Sequence, residues 1–307
     1  MGNGREASAE ESHAPVLADE VITWLQLRSG GRYLDCTVGY GGLAERLLSR
    51  VSGDSMLIGL DQDSRALEAS RVRLRPFGDQ VQLIHGNFRD VKRHLVQVGV
   101  ANVDGAVLDL GVSTPQLASP ERGFSFSESG PLDMRMDLTG SLTAADVVNR
   151  WNENDLAWTI FHYGEERYAR RIARAIAIAR KETPLRTTFD LVDVIRRAIP
   201  ARSRHGRIHF ATRTFQAIRI AVNRELDALE AALPQVIDAL AAGGRLCVIS
   251  FHSLEDRIVK QAFRSRAASA GSDVRILTKK PQVATTQEVE RNPRARSAKL
   301  RVLERAA

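Results

Sequence analysis

The sequence predicts an α/β protein, a parallel doubly wound sheet carrying an inserted all-helical domain. Three observations carry that prediction. Apolar runs of strand length alternate with helix-like stretches through the first 110 residues, and one more such run follows Gly243-Gly244. The middle of the chain shows helical periodicity with no strand pattern. A glycine turn, Gly39-Tyr40-Gly41-Gly42, stands between the first strand and the first helix of the alternation. Strand alternating with helix is the mark of a parallel sheet covered on both faces.

The expected strands are Tyr33 to Cys36, Met56 to Leu60, Val81 to Ile84, Val103 to Leu110 and Arg245 to Phe251. Val107-Leu108 and Leu246 to Ile249 are continuously apolar, as strands buried on both faces require. Leu43 to Arg50, Ser64 to Leu74 and Val91 to Val98 read as the crossover helices. Helical patterns then fill Ala144 to Asn149, Leu156 to Phe161, Tyr168 to Arg180 and Phe189 to Ala198. In the third of these, Tyr168, Ile172, Ala175, Ile176 and Ala179 recur at helical spacing with arginines opposite. Gln216 to Leu233 reads as one long amphipathic helix leading to the glycine pair before the fifth strand. Arg275 to Leu277 and Ala298 to Leu303 are expected to close the sheet edge, and Ser265 to Ser272 reads as a loop of small residues. The organisation expected is a disordered lead over 1–12, a sheet domain in two parts over 13–117 and 215–307, and a substrate-recognising helical insertion over 118–214.

Composition bounds the rest. With 43% hydrophobic and 26% charged residues, a chain of 307 residues can bury an ordinary core, which excludes a disordered class. No apolar run is long enough to span a bilayer, so no membrane partner is expected. Met1 to Ser12 lacks the apolar stretch of a signal peptide, and a cytosolic protein is expected. Cys36 and Cys247 each lie in or beside an apolar strand and read as small core residues. The net charge of +7 favours polyanionic partners. It is concentrated: Arg196 to Arg219 holds seven arginines, two histidines and no acid, and Arg291 to Arg305 is again basic.

The turn formally satisfies G-x-G-x-x-A through Ala44, a pattern that serves dinucleotide binding. Asp61 ends the second strand, 20 positions after Gly41, where a carboxylate accepts hydrogen bonds from ribose hydroxyls. Both NAD and S-adenosylmethionine (SAM) carry such hydroxyls. Asp35, just before the turn, separates the two: acids there suit the amino group and sulfonium of SAM and suit a pyrophosphate poorly. Asp109 ends the fourth strand, so three acids stand at carboxyl ends of parallel strands, where such sheets bind ligands. One of them alone reads as a strand-end cap. Phe88, in His85-Gly86-Asn87-Phe88, reads as core or as the wall of an adenine pocket.

Longer blocks carry a resemblance. They are Asp109-Leu-Gly-Val-Ser-Thr-Pro-Gln116, Glu121-Arg-Gly-Phe-Ser-Phe126, Gly130-Pro-Leu-Asp-Met-Arg-Met-Asp137, Tyr163-Gly-Glu-Glu-Arg167, Ala211-Thr-Arg-Thr-Phe-Gln-Ala217, Ser250-Phe-His-Ser-Leu-Glu-Asp-Arg-Ile-Val-Lys260 and Asn292-Pro-Arg-Ala-Arg-Ser297. From about His13 to Arg305 the chain resembles the bacterial 16S ribosomal RNA (cytosine-N4)-methyltransferases of the MraW/RsmH type. The resemblance implies a Rossmann-like SAM-dependent methyltransferase sheet with a helical insertion, SAM as cofactor, and a cytidine in the decoding region of 16S rRNA or the small ribosomal subunit as acceptor. It implies cofactor contacts at Gly41, Gly42, Leu43, Asp61, Phe88, Asp109 and Gln116. Two positions depart from the family pattern. Leu43 stands where relatives usually place a histidine, and Phe210 follows His209 where relatives have proline.

The acceptor so implied is a poor nucleophile, because the N4 lone pair is delocalised into the ring. Alignment and an acceptor for the N4 hydrogens are then the protein's task. Asp109 is the first candidate for a catalytic role. His252 is the second, by taking up a proton, and its other reading is within a helix start shared with Glu255 and Asp256. No metal site is expected. Arg202, Arg204, Arg207 and Arg213, with His205 and His209, are expected to meet RNA phosphates, with Arg291, Arg294 and Arg296 as a second strip. Two other readings stand beside this one, an NAD(P)-dependent oxidoreductase using the same turn and a catalytically silent RNA-binding protein.

Overall fold

The structure, a computed structural model, describes residues 15–206 and 208–306. The segment 1–12, read above as a lead, and Arg207 lie outside the described residues. The chain divides into two compact units, one running to Gly111 and resuming at Leu226, the other spanning Val112–Glu225.

The first unit begins α1 (Ala18–Leu25), β1 (Arg32–Asp35), α2 (Gly42–Leu48), β2 (Met56–Asp61), α3 (Ser64–Leu74), β3 (Val81–His85), α4 (Val91–Gln97) and β4 (Val103–Asp109). The second unit supplies α5 (Thr114–Ala118), α6 (Ala144–Arg150), α7 (Glu153–Gly164), α8 (Ala169–Glu182), α9 (Thr188–Ala198) and α10 (Thr212–Asn223). Then follow α11 (Glu225–Ala239), β5 (Leu240–Ser250), α12 (Ser253–Ala268), β6 (Val274–Ile276), β7 (Gln282–Val283), α13 (Thr286–Arg291) and β8 (Lys299–Arg305).

The sheet order is β3-β2-β1-β4-β5-β8-β6, with β7 paired to β8. The first five strands are mutually parallel, and β8 runs antiparallel to its neighbours. The chain winds outward from β1 to β3 and then returns to β4 on the other side of β1. That reversal opens a crevice beyond the carboxyl ends of β1 and β4, where sheets of this kind bind ligands. The strand-end acids therefore land on the functional edge: Asp35, Asp61 and Asp109 are the last residues of β1, β2 and β4.

Period-two alternation sends the strand residues to two cores. Leu34, Ile58, Leu108, Leu246 and Val248 pack with residues of α4, α11 and α12. Tyr33, Leu57, Val107, Cys247 and Ile249 pack with residues of α1, α2 and α3. Each buried Leu or Ile contributes about 1.5–3 kcal/mol relative to exposure. Cys36 and Cys247 are free and buried in opposite cores, and burial pushes both thiols up, so neither is a ready nucleophile.

The second unit is helical around one core, including Val147, Leu156, Ile160, Ile172, Ile176, Leu191, Ile195 and Phe215. Several of its helices begin where the sequence supplies caps. Thr143 with Asp146 and Thr187 with Asp190 form capping boxes, and the Asn152 side chain accepts the Asp155 N–H. The expected single helix from Gln216 to Leu233 is broken at Arg224, whose φ is 51°. Asn223 is the reason. Its Oδ1 accepts the Met136 N–H at 2.7 Å, and its Nδ2 donates to the Met134 carbonyl at 2.7 Å, so α10 ends there. Two smaller differences follow from local geometry. The helix α12 runs on to Ala268, into the stretch read as a loop, and β5 starts at Leu240 through an irregular register against Val103 and Gly105.

Candidate cofactor site

The turn is built by two glycines with positive φ, 53° at Gly39 and 79° at Gly41. A side chain at Gly41 would be strained at that φ, and its Cβ would press against Ser70 Oγ at 3.3 Å. The turn is pinned from two sides. The Gly39 N–H donates to Asp61 Oδ2 at 2.8 Å, and the Ser70 hydroxyl donates to the Gly39 carbonyl at 2.5 Å. Gly42 and Leu43 open α2, so their backbone N–H groups belong to its unsatisfied first turn. The Leu43 side chain is 6% exposed and lies in the apolar core. With the side chain taken up by the core, only the Leu43 backbone is open to a ligand. Leu43→Ala is therefore expected to lower unfolding stability by about 2–4 kcal/mol while SAM affinity, read by calorimetry, changes less than about threefold.

The three acids form one electrostatic group. The Asp35 carboxyl accepts the Thr37 N–H at 3.0 Å, and the Thr37 hydroxyl oxygen accepts the Asp109 N–H at 2.7 Å. Burial raises Asp35 to about 7, with Asp61 pushing the same way. Burial raises Asp61 to about 6, against the hydrogen bonds it accepts from Asp63 and Gly39. Asp109 also rises to about 7, chiefly by burial; Arg294 pulls it down, and Asp35 and Glu255 push it up. Asp109 Oδ1 is buried with no hydrogen-bond partner among the described residues. An unsatisfied buried carboxylate oxygen is costly. It calls for a donor or a cation from outside.

Phe88 opens a short 3-10 turn after β3 and is half-buried against the α4 core. That turn is tied to the end of β2, because Asn87 Nδ2 donates to Gln62 Oε1 at 2.7 Å. Gly41, Gly42, Leu43, Asp61, Phe88 and Asp109 thus all belong to the carboxyl edge of one sheet. Gln116 belongs to the second unit, where it is buried and completes a capping box with Ser113 at the start of α5.

His252 is the N-cap of α12. Its Nδ1 accepts the Glu255 N–H at 3.4 Å, so in the neutral ring the hydrogen sits on Nε2, 3.2 Å from Glu255 Oε1. Glu255 Oε2 in turn accepts the Phe251 N–H at 2.8 Å. Two neighbours of Asp109 were not singled out from the sequence: Thr37 and, as a member of this site, Arg294. The Arg294 guanidinium lies 5.9 Å from the Phe251 ring centre. Thr37 alone had a readable signal, standing between Asp35 and the turn. Among the described residues no group of His, Cys, Asp and Glu is arranged to hold a metal ion, and no helix is long and apolar enough to cross a membrane.

The sequence profile of the MraW methylase family matches residues 10–306. The chain belongs to the MraW methylase family. A protein of Pelobacter propionicus named ribosomal RNA small subunit methyltransferase H is 51% identical, over 95% of this chain and 98% of its own length. Proteins of the same name from Heliobacterium mobile and Symbiobacterium thermophilum are each 49% identical, over 96% and 95% of this chain and 99% and 96% of their own lengths. As an MraW methylase the chain is a SAM-dependent methyltransferase. The site fits that cofactor: an orphaned carboxylate oxygen and two further raised acids suit an amino group and a sulfonium, and Asp61 suits ribose hydroxyls.

Proposed function

We propose that this chain methylates the exocyclic N4 of a cytidine in the decoding region of 16S rRNA, within the small ribosomal subunit. The observation that carries the chemistry is the gathering of three strand-end acids beside the glycine turn: Asp61 holds the Gly39 N–H, and Asp35 and the Asp109 backbone are linked through Thr37, two residues before Gly39. The relatives' shared name, at about half identity over nearly full length, supports the rRNA substrate.

When bound, SAM supplies an electrophilic methyl group on its sulfonium. Gly41, Gly42 and the Leu43 backbone leave room for the cofactor, Asp61 takes the ribose hydroxyls and Phe88 walls the adenine. Asp109 Oδ1 accepts a hydrogen of the target amine and so turns its lone pair toward the methyl group. Its carboxyl, near 7, also suits taking up the proton that N4 must lose. A proton-accepting role for His252 would require breaking the cap that its Nδ1 makes with Glu255. The test is transfer of labelled methyl from SAM to small subunits from cells lacking this activity, followed by nucleoside mass spectrometry. The expected product is one N4-methylated cytidine in the decoding region. Label on a ring carbon or a ribose, or no label, would overturn the proposal.

A further inference from the structure

We propose that the second unit holds a phosphodiester-binding cradle, formed by Arg167, Arg171, Arg202, Arg204 and Arg213 around a Tyr168–Ser203 hub. It rests on the rRNA reading above and says where the backbone of that RNA is gripped.

The hub joins two separate segments. The Tyr168 hydroxyl and Ser203 Oγ are 2.9 Å apart, and Arg167 Nη2 donates to the same Ser203 oxygen at 3.1 Å. The Arg167 guanidinium lies 4.7 Å from the Tyr168 ring centre and that of Arg171 5.9 Å. Arg202 and Arg204 flank Ser203 in the chain, and Arg204 Nη2 donates to the Ile199 carbonyl. From α10, Arg213 Nη1 donates to the Glu165 carbonyl at 3.0 Å, two positions before Arg167. The blocks Tyr163 to Arg167 and Ala211 to Ala217, which stand out in the sequence, thus meet at one place. Gly164 lets them do so, since a Cβ there would sit 2.5 Å from the Arg213 carbonyl oxygen.

The charge is uncompensated. Four other arginines of this unit pair with acids: Arg135 with Asp133, Arg150 with Asp146, Arg196 with Asp193 and Arg219 with Glu225. Among the described residues no ion pair joins a carboxylate to any of the five cradle arginines. The nearest acid in sequence, Glu166, is buried with its carboxylate on the Tyr168 N–H at 2.8 Å. Gathering like charges without counter-ions is unfavourable unless an anion completes the set. Guanidinium forks stacked on an aromatic ring are pre-oriented for the paired oxygens of a phosphate. A strand of regularly spaced monoanions is the ligand this arrangement fits.

The experiment titrates small-subunit rRNA and intact small subunits against the full-length protein over a range of salt. It compares wild type, the double variant Arg167→Ala/Arg171→Ala, Tyr168→Phe, and Arg71→Ala as a control in the first unit, where Arg71 pairs with Glu68. The double variant is expected to bind RNA at least about tenfold more weakly, with the slope of log Kd against log salt reduced by about 1.4, roughly 0.7 for each lost phosphate contact. Its SAM affinity and thermal midpoint stay at wild type, and KM for RNA rises while kcat holds. Tyr168→Phe keeps the ring but frees Ser203, and gives a smaller loss with the salt slope unchanged. Wild-type affinity and slope in the double variant would overturn the cradle. So would unchanged affinity for naked rRNA with weakened affinity for subunits, which would assign these arginines to a ribosomal protein. Wild-type RNA binding without methyl transfer would sink the proposed function and leave the cradle readable in the same titration.

Discussion

Asp109→Asn is expected to weaken SAM binding roughly ten- to a hundredfold and to slow methyl transfer by a further factor of about a hundred or more. The substitution keeps the shape of the side chain and removes its charge. The lost affinity is that of a charge-assisted contact to a cation in a buried site, worth about 1.5–3 kcal/mol. The rate loss is that of a positioned proton acceptor. The same change is expected to stabilise the ligand-free protein above about pH 7, by an amount of order 2 kcal/mol. Opposite signs for stability and affinity separate a functional acid from a structural one. A carboxylate that only capped a strand would lose both together. Isothermal calorimetry, single-turnover transfer and urea unfolding at pH 8 read the three quantities.

The pH dependence carries the same signature. Asp35 and Asp109 are raised in the folded protein to about 7. Their contribution to stability is therefore complete below the ordinary carboxylate pKa near 4 and is lost as pH rises through about 7. Bound cation reverses this, because it favours the ionised acids. SAM affinity should then fall as pH drops from about 8 to about 6, with protons released on binding at the lower pH. Asp35, Asp61, Glu255 and Arg294 all act on this group, so the midpoint belongs to the cluster rather than to Asp109 alone.

The sheet and the acids at its edge were legible because they rest on local signals. Continuous apolar runs mark covered strands, glycines mark the turn, and three carboxylates together at strand ends exceed what capping needs. What escaped depended on contacts distant in sequence or on unusual residue choices. The helix break at Arg224 has no glycine or proline nearby; it follows from Asn223 serving Met134 and Met136, 89 and 87 positions away. His252 left base and cap both open, since helices are usually capped by Ser, Thr, Asp or Asn. In the structure its ring stands where those side chains would, with Glu255 answering as N3 of the box. Arg294 read as part of a basic strip, because only the placement of the 3-10 turn Pro293–Ser297 before β8 brings it to Asp109. Leu43 departs from the relatives' histidine, and its side chain is buried in the apolar core, which leaves only its backbone open to a ligand.

Gly130→Ala is expected to be the most damaging single-methyl change in the second unit, costing about 3 kcal/mol or more and leaving little folded insertion at 37 °C. Two family blocks cross there backbone to backbone. A Cβ on Gly130 would stand 1.8 Å from the Pro120 carbonyl oxygen, and one on Gly123 would stand 2.2 Å from that of Pro131. Neither obstacle is a side-chain tip that can swing away, so the strap itself would have to move. The strap is held firmly: Thr188 donates its backbone N–H to the Gly130 carbonyl at 2.8 Å and its hydroxyl to the Glu128 carbonyl at 3.0 Å, and Leu132 N–H donates to the Arg186 carbonyl at 3.0 Å. Below the crossing lies Met134, fully buried with φ 60°, a strained conformation that only such over-determined surroundings sustain. Gly53→Ala is the matched control, with nothing within 4 Å of its Cβ, and is expected to change stability by less than about 1 kcal/mol. Urea unfolding followed by circular dichroism gives both values. If Gly130→Ala unfolded at the wild-type midpoint, the crossing would not be the pin of this unit. Loss of helical signal with SAM binding retained would show instead that the sheet unit holds its cofactor without the insertion.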